Sequence, residues 1–208
     1  LMPTNFLNNE KLVIGTAQFG MNYGIANQNG QVDKNEMQSI LNFAYENGIN
    51  TLDTAKIYGN SEKSIGNYLK KTENSWNLIT KVNHIEKSIV EQIEDSKEKL
   101  TIMPVVVLAH TAGLYIDKEF QSMLQQAKIK NLINRIGVSL YNEKEINQVL
   151  ASELKPDVIQ LPMNILDTRL FRSGILNKLL NKNIEIHVRS VFLQGLFYLS
   201  KTELNKRF

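Results

Sequence analysis

The residues best suited to chemistry lie in the run Gly48-Ile-Asn-Thr-Leu-Asp-Thr-Ala-Lys-Ile-Tyr58-Gly-Asn-Ser-Glu62. It reads as a buried strand that delivers Asp53 to its C-terminal end, a short loop carrying Tyr58, and then a helix start. Lys81 closes the next strand-like run, Asn77-Leu-Ile-Thr-Lys81, and His110 the one after it, Val105-Val-Val-Leu-Ala-His110. Polar groups at the same end of consecutive parallel strands converge on one pocket. A tyrosine beside a lysine–aspartate pair is a proton donor. Taken singly, each residue has a structural reading: Asp53 as a turn cap, Tyr58 as a rim aromatic, Lys81 as a lysine with a buried stem, His110 as a hydrogen-bonded structural histidine. The four in this order, each at a strand end, point to an enzyme.

Positioning such groups needs a regular frame, and the chain alternates short apolar strands with amphipathic helical segments. The strand candidates are Leu12–Thr16, Asn50–Asp53, Asn77–Lys81, Val105–Ala109, Ile133–Val138, Val158–Leu161 and Ile184–Val188. They are rich in Val, Ile and Leu and nearly free of charge, as expected of strands covered on both faces. Asp33 caps a predicted helix over Lys34–Glu46, in which Met37, Ile40, Leu41 and Ala44 recur at helical spacing before Gly48 ends the run. Further helices are predicted over Ser61–Leu69, Ser88–Leu100, Lys118–Lys128, Glu143–Leu150 and Leu170–Leu180. No linker or charge block divides residues 1–208, which read as one domain.

At 208 residues the chain can bury one sizeable core. A hydrophobic fraction of 42%, interspersed charges and a formal net charge of +3 describe a soluble globular protein without a nucleic-acid surface. The basic end, Asn205–Phe208, reads as a solvated helix or tail. Cysteine is absent, so disulfides and thiolate metal sites are excluded and a cytoplasmic location is expected. His84, His110 and His187 lack the spacing of a zinc site, and no metal is expected. Residues 1–10 lack the features of a signal peptide, and no apolar run approaches the roughly 18 residues of a membrane span.

Strand followed by helix, repeated, implies a parallel sheet with right-handed crossovers. An open dinucleotide-binding sheet should show G-x-G-x-x-G after its first strand. Here Gly15-Thr-Ala-Gln-Phe-Gly20 runs into Met-Asn-Tyr-Gly with no helix start in reach. Polar residues also end many different strands, which suits a (β/α)8 TIM barrel whose site collects from every βα loop. Such a barrel takes about 250 residues, so the sequence reads as one lacking its eighth strand and the helices after it, either as a fragment or with another segment covering the gap.

These residues resemble the aldo-keto reductase family. Ile14-Gly-Thr-Ala-Gln-Phe-Gly20 is similar to that family's opening strand and loop. Asn50-Thr-Leu-Asp-Thr-Ala-x-x-Tyr-Gly-x-Ser-Glu62 is similar to its signature around the catalytic Asp and Tyr, and Thr80-Lys81 and Leu108-Ala-His110 fall where its Lys and His occur. Ile136-Gly-Val-Ser139 and Val158-Ile-Gln160 resemble its nicotinamide-contacting strands. The resemblance runs from about residue 11 to about residue 200 and implies a barrel that reduces a small aldehyde or ketone with NADPH or NADH, NADP(H) being slightly favoured. It implies Tyr58 as proton donor, Lys81 as the group that lowers the phenol from its usual pKa near ~10, Asp53 as the anchor of Lys81, and His110 as the orienter of the carbonyl.

Carried over in the same way, Gly15, Thr16, Ser139, Gln160, Arg189, Ser190 and Gly195 are cofactor residues, with Ser139 and Gln160 at the carboxamide and Ser190 and Leu193–Gly195 near the pyrophosphate. Arg189 stands where the family commonly stacks an aromatic on the nicotinamide, so its guanidinium is expected to stack there or to turn to the pyrophosphate. Leu140 departs from the Asn that often follows Ser139, which puts one amide contact in doubt and leaves open whether Asn142 replaces it. His187 reads as structural. Met21–Gly24 and Thr111–Tyr115 are expected to line the pocket, with Tyr23 and Tyr115 making it partly aromatic. Two other functions stay open. One is a weak or inactive barrel acting as a cofactor-binding sensor or scaffold, motivated by the absent strand and by Leu140 and Arg189. The other is a lyase or isomerase in which Lys81 forms a Schiff base, which needs a neutral lysine that Asp53 opposes.

Overall fold

The Val- and Ile-rich runs all become strands of one sheet. In the computed structural model, which describes residues 11–83 and 88–207, these are β1 (Ile14–Gly15), β2 (Thr51–Asp53), β3 (Asn77–Val82), β4 (Val106–Ala109), β5 (Arg135–Ser139), β6 (Val158–Pro162) and β7 (Glu185–Arg189). They pair in sequence order, every pair parallel. The sheet curls until its two halves bond across the inner face, where Gln160 on β6 reaches Asp53 on β2; within one half, Arg135 on β5 reaches past β6 to Glu185 on β7. The architecture is that of a (β/α)8 barrel with seven strands among the described residues, as the sequence predicts. His84 lies outside the described residues.

Helices return the chain between strands: α1 (Lys34–Glu46), α2 (Ser61–Leu69), α3 (Ile89–Leu100), α4 (Ala112–Ile116), α5 (Lys118–Ile129), α6 (Glu143–Ala151), α7 (Arg169–Arg172), α8 (Ile175–Leu180) and α9 (Lys201–Arg207). Caps set several starts. The Asp33 side chain accepts from the amides of Asn35 and Glu36 at α1, and Ser88 with Glu91 forms a capping box at α3. The single helix expected over Leu170–Leu180 is instead two, because Gly174 takes a left-handed conformation (φ 76°) between α7 and α8. The loop expected at Thr111–Tyr115 is helical as α4, its first turn capped by the Thr111 hydroxyl.

Strand residues alternate between two environments, as the period of two requires. Outward-facing Leu52 and Leu78 join Met37, Leu41, Ile65, Tyr68, Trp76 and Leu100 in one core beneath α1, α2 and α3. Val82, Val107, Ile136, Val138, Ile159 and Leu161 join Phe120, Leu124, Ile146 and Leu179 in a larger core under the later helices. Inside the barrel, Ile79, Val106, Leu108 and Val158 form an apolar floor. Above that floor, the inward positions turn polar.

Candidate active site

On β2 the inward residue above the floor is Asp53, and on β3 it is Lys81. Both carboxylate oxygens of Asp53 accept from Lys81 Nζ at 2.7 Å, and the Thr54 carbonyl accepts the third ammonium proton at 2.9 Å. Lys81 is only 1% exposed. Burial pushes its ammonium below the usual value, and the Asp53 charge and hydrogen bond oppose that push. With three acceptors engaged, Lys81 is a tethered cation. On β6, Gln160 donates from Nε2 to Asp53 Oδ1 at 3.3 Å, and its own Oε1 is buried without a partner among the described residues.

Tyr58 sits above this pair. Lys81 Nζ lies 5.1 Å from the ring centroid, and the His110 ring meets the phenol edge-on with centroids 6.3 Å apart. The structure thus brings together all four residues expected to be catalytic. The expected tuning of Tyr58 by Lys81 is corrected. Burial and the Asp53 carboxylate push the phenol up to about 12, and Arg189 is the one cation that pulls it down. The reason is that Asp53 sits directly on Lys81, so the pair presents a dipole to the ring and not a net positive charge. His110 is held below its usual value by burial, with Lys81 and Arg189 adding to the effect, which favours a neutral imidazole. His110 Nδ1 is buried without a partner among the described residues.

The loop that presents Tyr58 is placed by close backbone approach. A Cβ on Gly20 would lie 1.8 Å from the Tyr58 carbonyl oxygen, and one on Gly59 would lie 2.3 Å from the Gly20 carbonyl oxygen. Gly59 also holds φ 53°, which favours glycine. Behind the loop, hydroxyls interlock. Thr54 donates to Ser61 Oγ at 3.0 Å, Ser61 Oγ reaches the Thr16 carbonyl at 2.9 Å, and Thr16 donates to the Asp53 carbonyl at 2.9 Å.

The residues expected to hold a cofactor divide into two groups. Ser139, Gln160, Arg189 and Ser190 gather near a cleft of about 480 Å³ that Arg189 and Ser190 line with Tyr23, Tyr141, Asn164 and Gln194. The Arg189 guanidinium donates to Ser139 Oγ at 3.2 Å and lies 4.2 Å over the Tyr141 ring. Thr16 does not join them: it is fully buried and its hydroxyl serves the bracing network. Gly195 packs against Ala26, and Gly15, the register partner of Asp53, lies beside it on the inner face of the sheet and is exposed. Asn142 also lines the cleft, while its Oδ1 caps α6 by accepting from the Glu145 amide at 3.0 Å.

Tyr115 is a further correction. It is fully buried in the outer core, with its hydroxyl donating to the Leu154 carbonyl at 3.2 Å, and it lines no pocket at the strand ends. His187 points into the barrel, 2.6 Å from Glu185. Sequence reasoning missed Tyr141, and it placed Gln194 only through the backbone of Leu193–Gly195. Ser190, Leu193 and Gln194 all hold positive φ, and Gln194 accepts from the Ile25 and Ala26 amides at 3.1 and 3.2 Å, pinning this strained loop to the one carrying Tyr23. No local signal in the sequence marks that contact. A second cleft of about 600 Å³ lies between α1 and α2, on the outside of the barrel and away from these groups.

The sequence model of the Aldo/keto reductase family matches residues 11–207. Among solved structures, the chain is similar to a Pseudomonas aeruginosa protein assigned to the aldo-keto reductases, at 23% identity and a TM-score of 0.72 over 86% of this chain and 73% of that one. It is similar to a glycerol dehydrogenase of Gluconobacter oxydans, at 23% identity and a TM-score of 0.70 over 92% of this chain and 63% of that one. A thermostable aldo-keto reductase solved with the inhibitor epalrestat gives 22% identity and a TM-score of 0.73 over 92% and 71%. At these identities the likeness carries the fold. No curated protein matches the chain.

Proposed function

The chain belongs to the aldo-keto reductase family, and on that premise we propose that it is an oxidoreductase that reduces a small aldehyde or ketone to an alcohol with NADPH or NADH. The observation that carries this reading is the Asp53–Lys81 pair lying directly beneath Tyr58, with His110 at the phenol's edge. Residues for a nicotinamide fit. The orphaned Gln160 Oε1 calls for a donor such as a carboxamide amide, and the Ser139 hydroxyl, which accepts from Arg189, still has its own proton to donate. Ser190 and Arg189 would serve the phosphates.

When bound, the dinucleotide supplies the hydride. The protein's task is then the proton and the charge. Tyr58, with its pKa pushed up to about 12, keeps its proton throughout the neutral range and delivers it at the phenol oxygen as the carbonyl oxygen becomes basic. A neutral His110 adds a hydrogen bond to that oxygen without adding a fixed charge. Lys81, held by three acceptors, keeps a cation beneath the ring and cannot swing out to act as an amine nucleophile, so the Schiff-base alternative has no free group. The sensor reading draws on one observation, the Arg189 guanidinium resting on Tyr141 and Ser139 in the cleft.

Tyr58→Phe is the test. It removes the transferable proton and leaves the ring, so turnover on an aldehyde panel should fall by about 10²–10⁴ with dinucleotide affinity nearly unchanged. Affinity is best read from the dinucleotide's own fluorescence, because Trp76 lies in the outer core beside Tyr45 and Tyr68. Equal turnover by the Phe variant would remove Tyr58 from the acid role. A wild-type protein that binds dinucleotide and turns over no carbonyl would favour the sensor.

A further inference from the structure

The hydroxyl of Tyr58 has no hydrogen bond among the described residues, and its ring meets Lys81 and His110 at the distances given above. Where the phenol sits is therefore decided by the backbone of its loop. Two amides tie that loop to β3: Thr54 N donates to the Ile79 carbonyl at 2.8 Å and Lys56 N to the Lys81 carbonyl at 3.1 Å. The Gly20–Gly59 contact holds one flank. On the other flank, the Lys56 side chain runs out of the loop to α3. There its Nζ donates to the Gln92 carbonyl at 3.3 Å and forms an ion pair with the Asp95 carboxylate.

We propose that Lys56 and Asp95 are positioning residues for the proton donor, a salt bridge between the Tyr58 loop and α3 that sets the height of the phenol over the Asp53–Lys81 pair. The proposal rests on the reading of Tyr58 as the acid. The Lys56 side chain is 15% exposed, so its charge sits in a mostly enclosed place and has its acceptors on α3. That helix does not need the bridge for its own packing, because Ile89, Ile93 and Leu100 already anchor it in the cores. The contribution left to the bridge is to the loop. Lys99 also meets Asp95 at 2.8 Å, one helical turn along α3 and half exposed, and this ion pair lies within the helix itself.

The test compares Lys56→Met and Asp95→Asn with Lys56→Arg and Lys99→Met, in the whole chain. A displacement of about 1 Å at a reacting group is worth up to about a hundredfold in rate. Lys56→Met and Asp95→Asn should therefore lower kcat by about ten- to a hundredfold, with the KM for dinucleotide and the Tm nearly unchanged. Lys56→Arg should recover most of the loss, and Lys99→Met should behave as wild type. Amide hydrogen exchange supplies a readout that needs no turnover: residues 55–60 should exchange faster in Lys56→Met and Asp95→Asn, while residues 136–139 stay protected. Unchanged kcat and unchanged exchange in Asp95→Asn would overturn the proposal. So would a loss of kcat that tracks a loss of Tm and of dinucleotide binding, since that marks a merely structural bridge. If Tyr58→Phe is fully active while Asp95→Asn still loosens residues 55–60, the clamp stands and the acid assignment fails.

Discussion

Replacing Asp53 with Asn separates two accounts of how the site sets its proton donor. In the account suggested by sequence, Asp53 serves Lys81, Lys81 lowers the phenol, and loss of the carboxylate leaves Tyr58 unchanged or higher. The geometry argues the reverse. The carboxylate itself raises Tyr58 and cancels the lysine, with both oxygens 2.7 Å from Nζ. A unit charge 5.1 Å from the ring centroid, at an effective dielectric constant of about 20, is worth about 3 kcal/mol, or about two pH units. Unmasking that charge should bring Tyr58 from about 12 towards about 10. Should the uncompensated lysine lose its proton, removal of the carboxylate still lowers the phenol, so the sign holds. The Asn side chain keeps an oxygen for Nζ, which lets the fold persist. Titration of tyrosine carbon-13 resonances, with Tyr58→Phe supplying the assignment, reads the value directly. The alkaline edge of kcat should move down with it, because a general acid is lost as pH rises through its pKa. A Tyr58 that stays near 12 or rises in Asp53→Asn would refute the dipole argument.

Three other substitutions probe separate parts of the molecule. Gly20→Ala drives a Cβ to within 1.8 Å of the Tyr58 carbonyl, which should cost about 1–3 kcal/mol in urea unfolding and reduce turnover as the loop shifts. Gln160→Leu removes the orphaned Oε1 and the bond to Asp53; dinucleotide should bind about tenfold more weakly, a loss of about 1.4 kcal/mol, in fluorescence titration. Tyr115→Phe deletes the hydroxyl that bonds the Leu154 carbonyl, so it should lower stability by about 1 kcal/mol and leave kinetics unaltered. A change in KM for the carbonyl substrate would return Tyr115 to the pocket.

Much of the frame is legible because apolar runs and caps are local signals. The predicted bounds of α1 and α2 match those observed, and the Ser88 start of α3 is marked by its capping box. The inward positions of Asp53 and Lys81 follow from the alternation along two short strands. What sequence does not carry is where a long side chain lands after the barrel has curled. Arg189 and Tyr141 meet across the mouth between β7 and the β5–α6 loop, and the resemblance suggested a ring system beneath that guanidinium without naming one from the chain itself. Tyr115 was misplaced for a related reason: α4 turns its ring into the outer core, and a run of five residues shows no helical period. The phenol's high pKa depends on burial and on charge cancellation, both three-dimensional quantities.

Register explains how residues on three separate strands come to share one site. Asp53 pairs with Ile79, so Lys81 stands two residues further along β3 than Asp53 does on β2. Lys81 in turn pairs with Leu108, and His110 lies two residues beyond Leu108, its amide bonding the Val82 carbonyl at 2.9 Å. A step of two keeps each side chain on the inner face. In a flat sheet the three would climb diagonally away from one another, but strands of such a barrel tilt by about 36° to its axis, which brings successive steps of this kind back towards a common level. A step of one would have turned Lys81 outward into the helix layer, where Thr80 instead bonds the buried Glu62 at 2.7 Å. The Asp53–Lys81 contact is thus a consequence of barrel curvature acting on a fixed parity, and a one-residue deletion within β3 before Lys81 should abolish the pair while sparing β1 and β2.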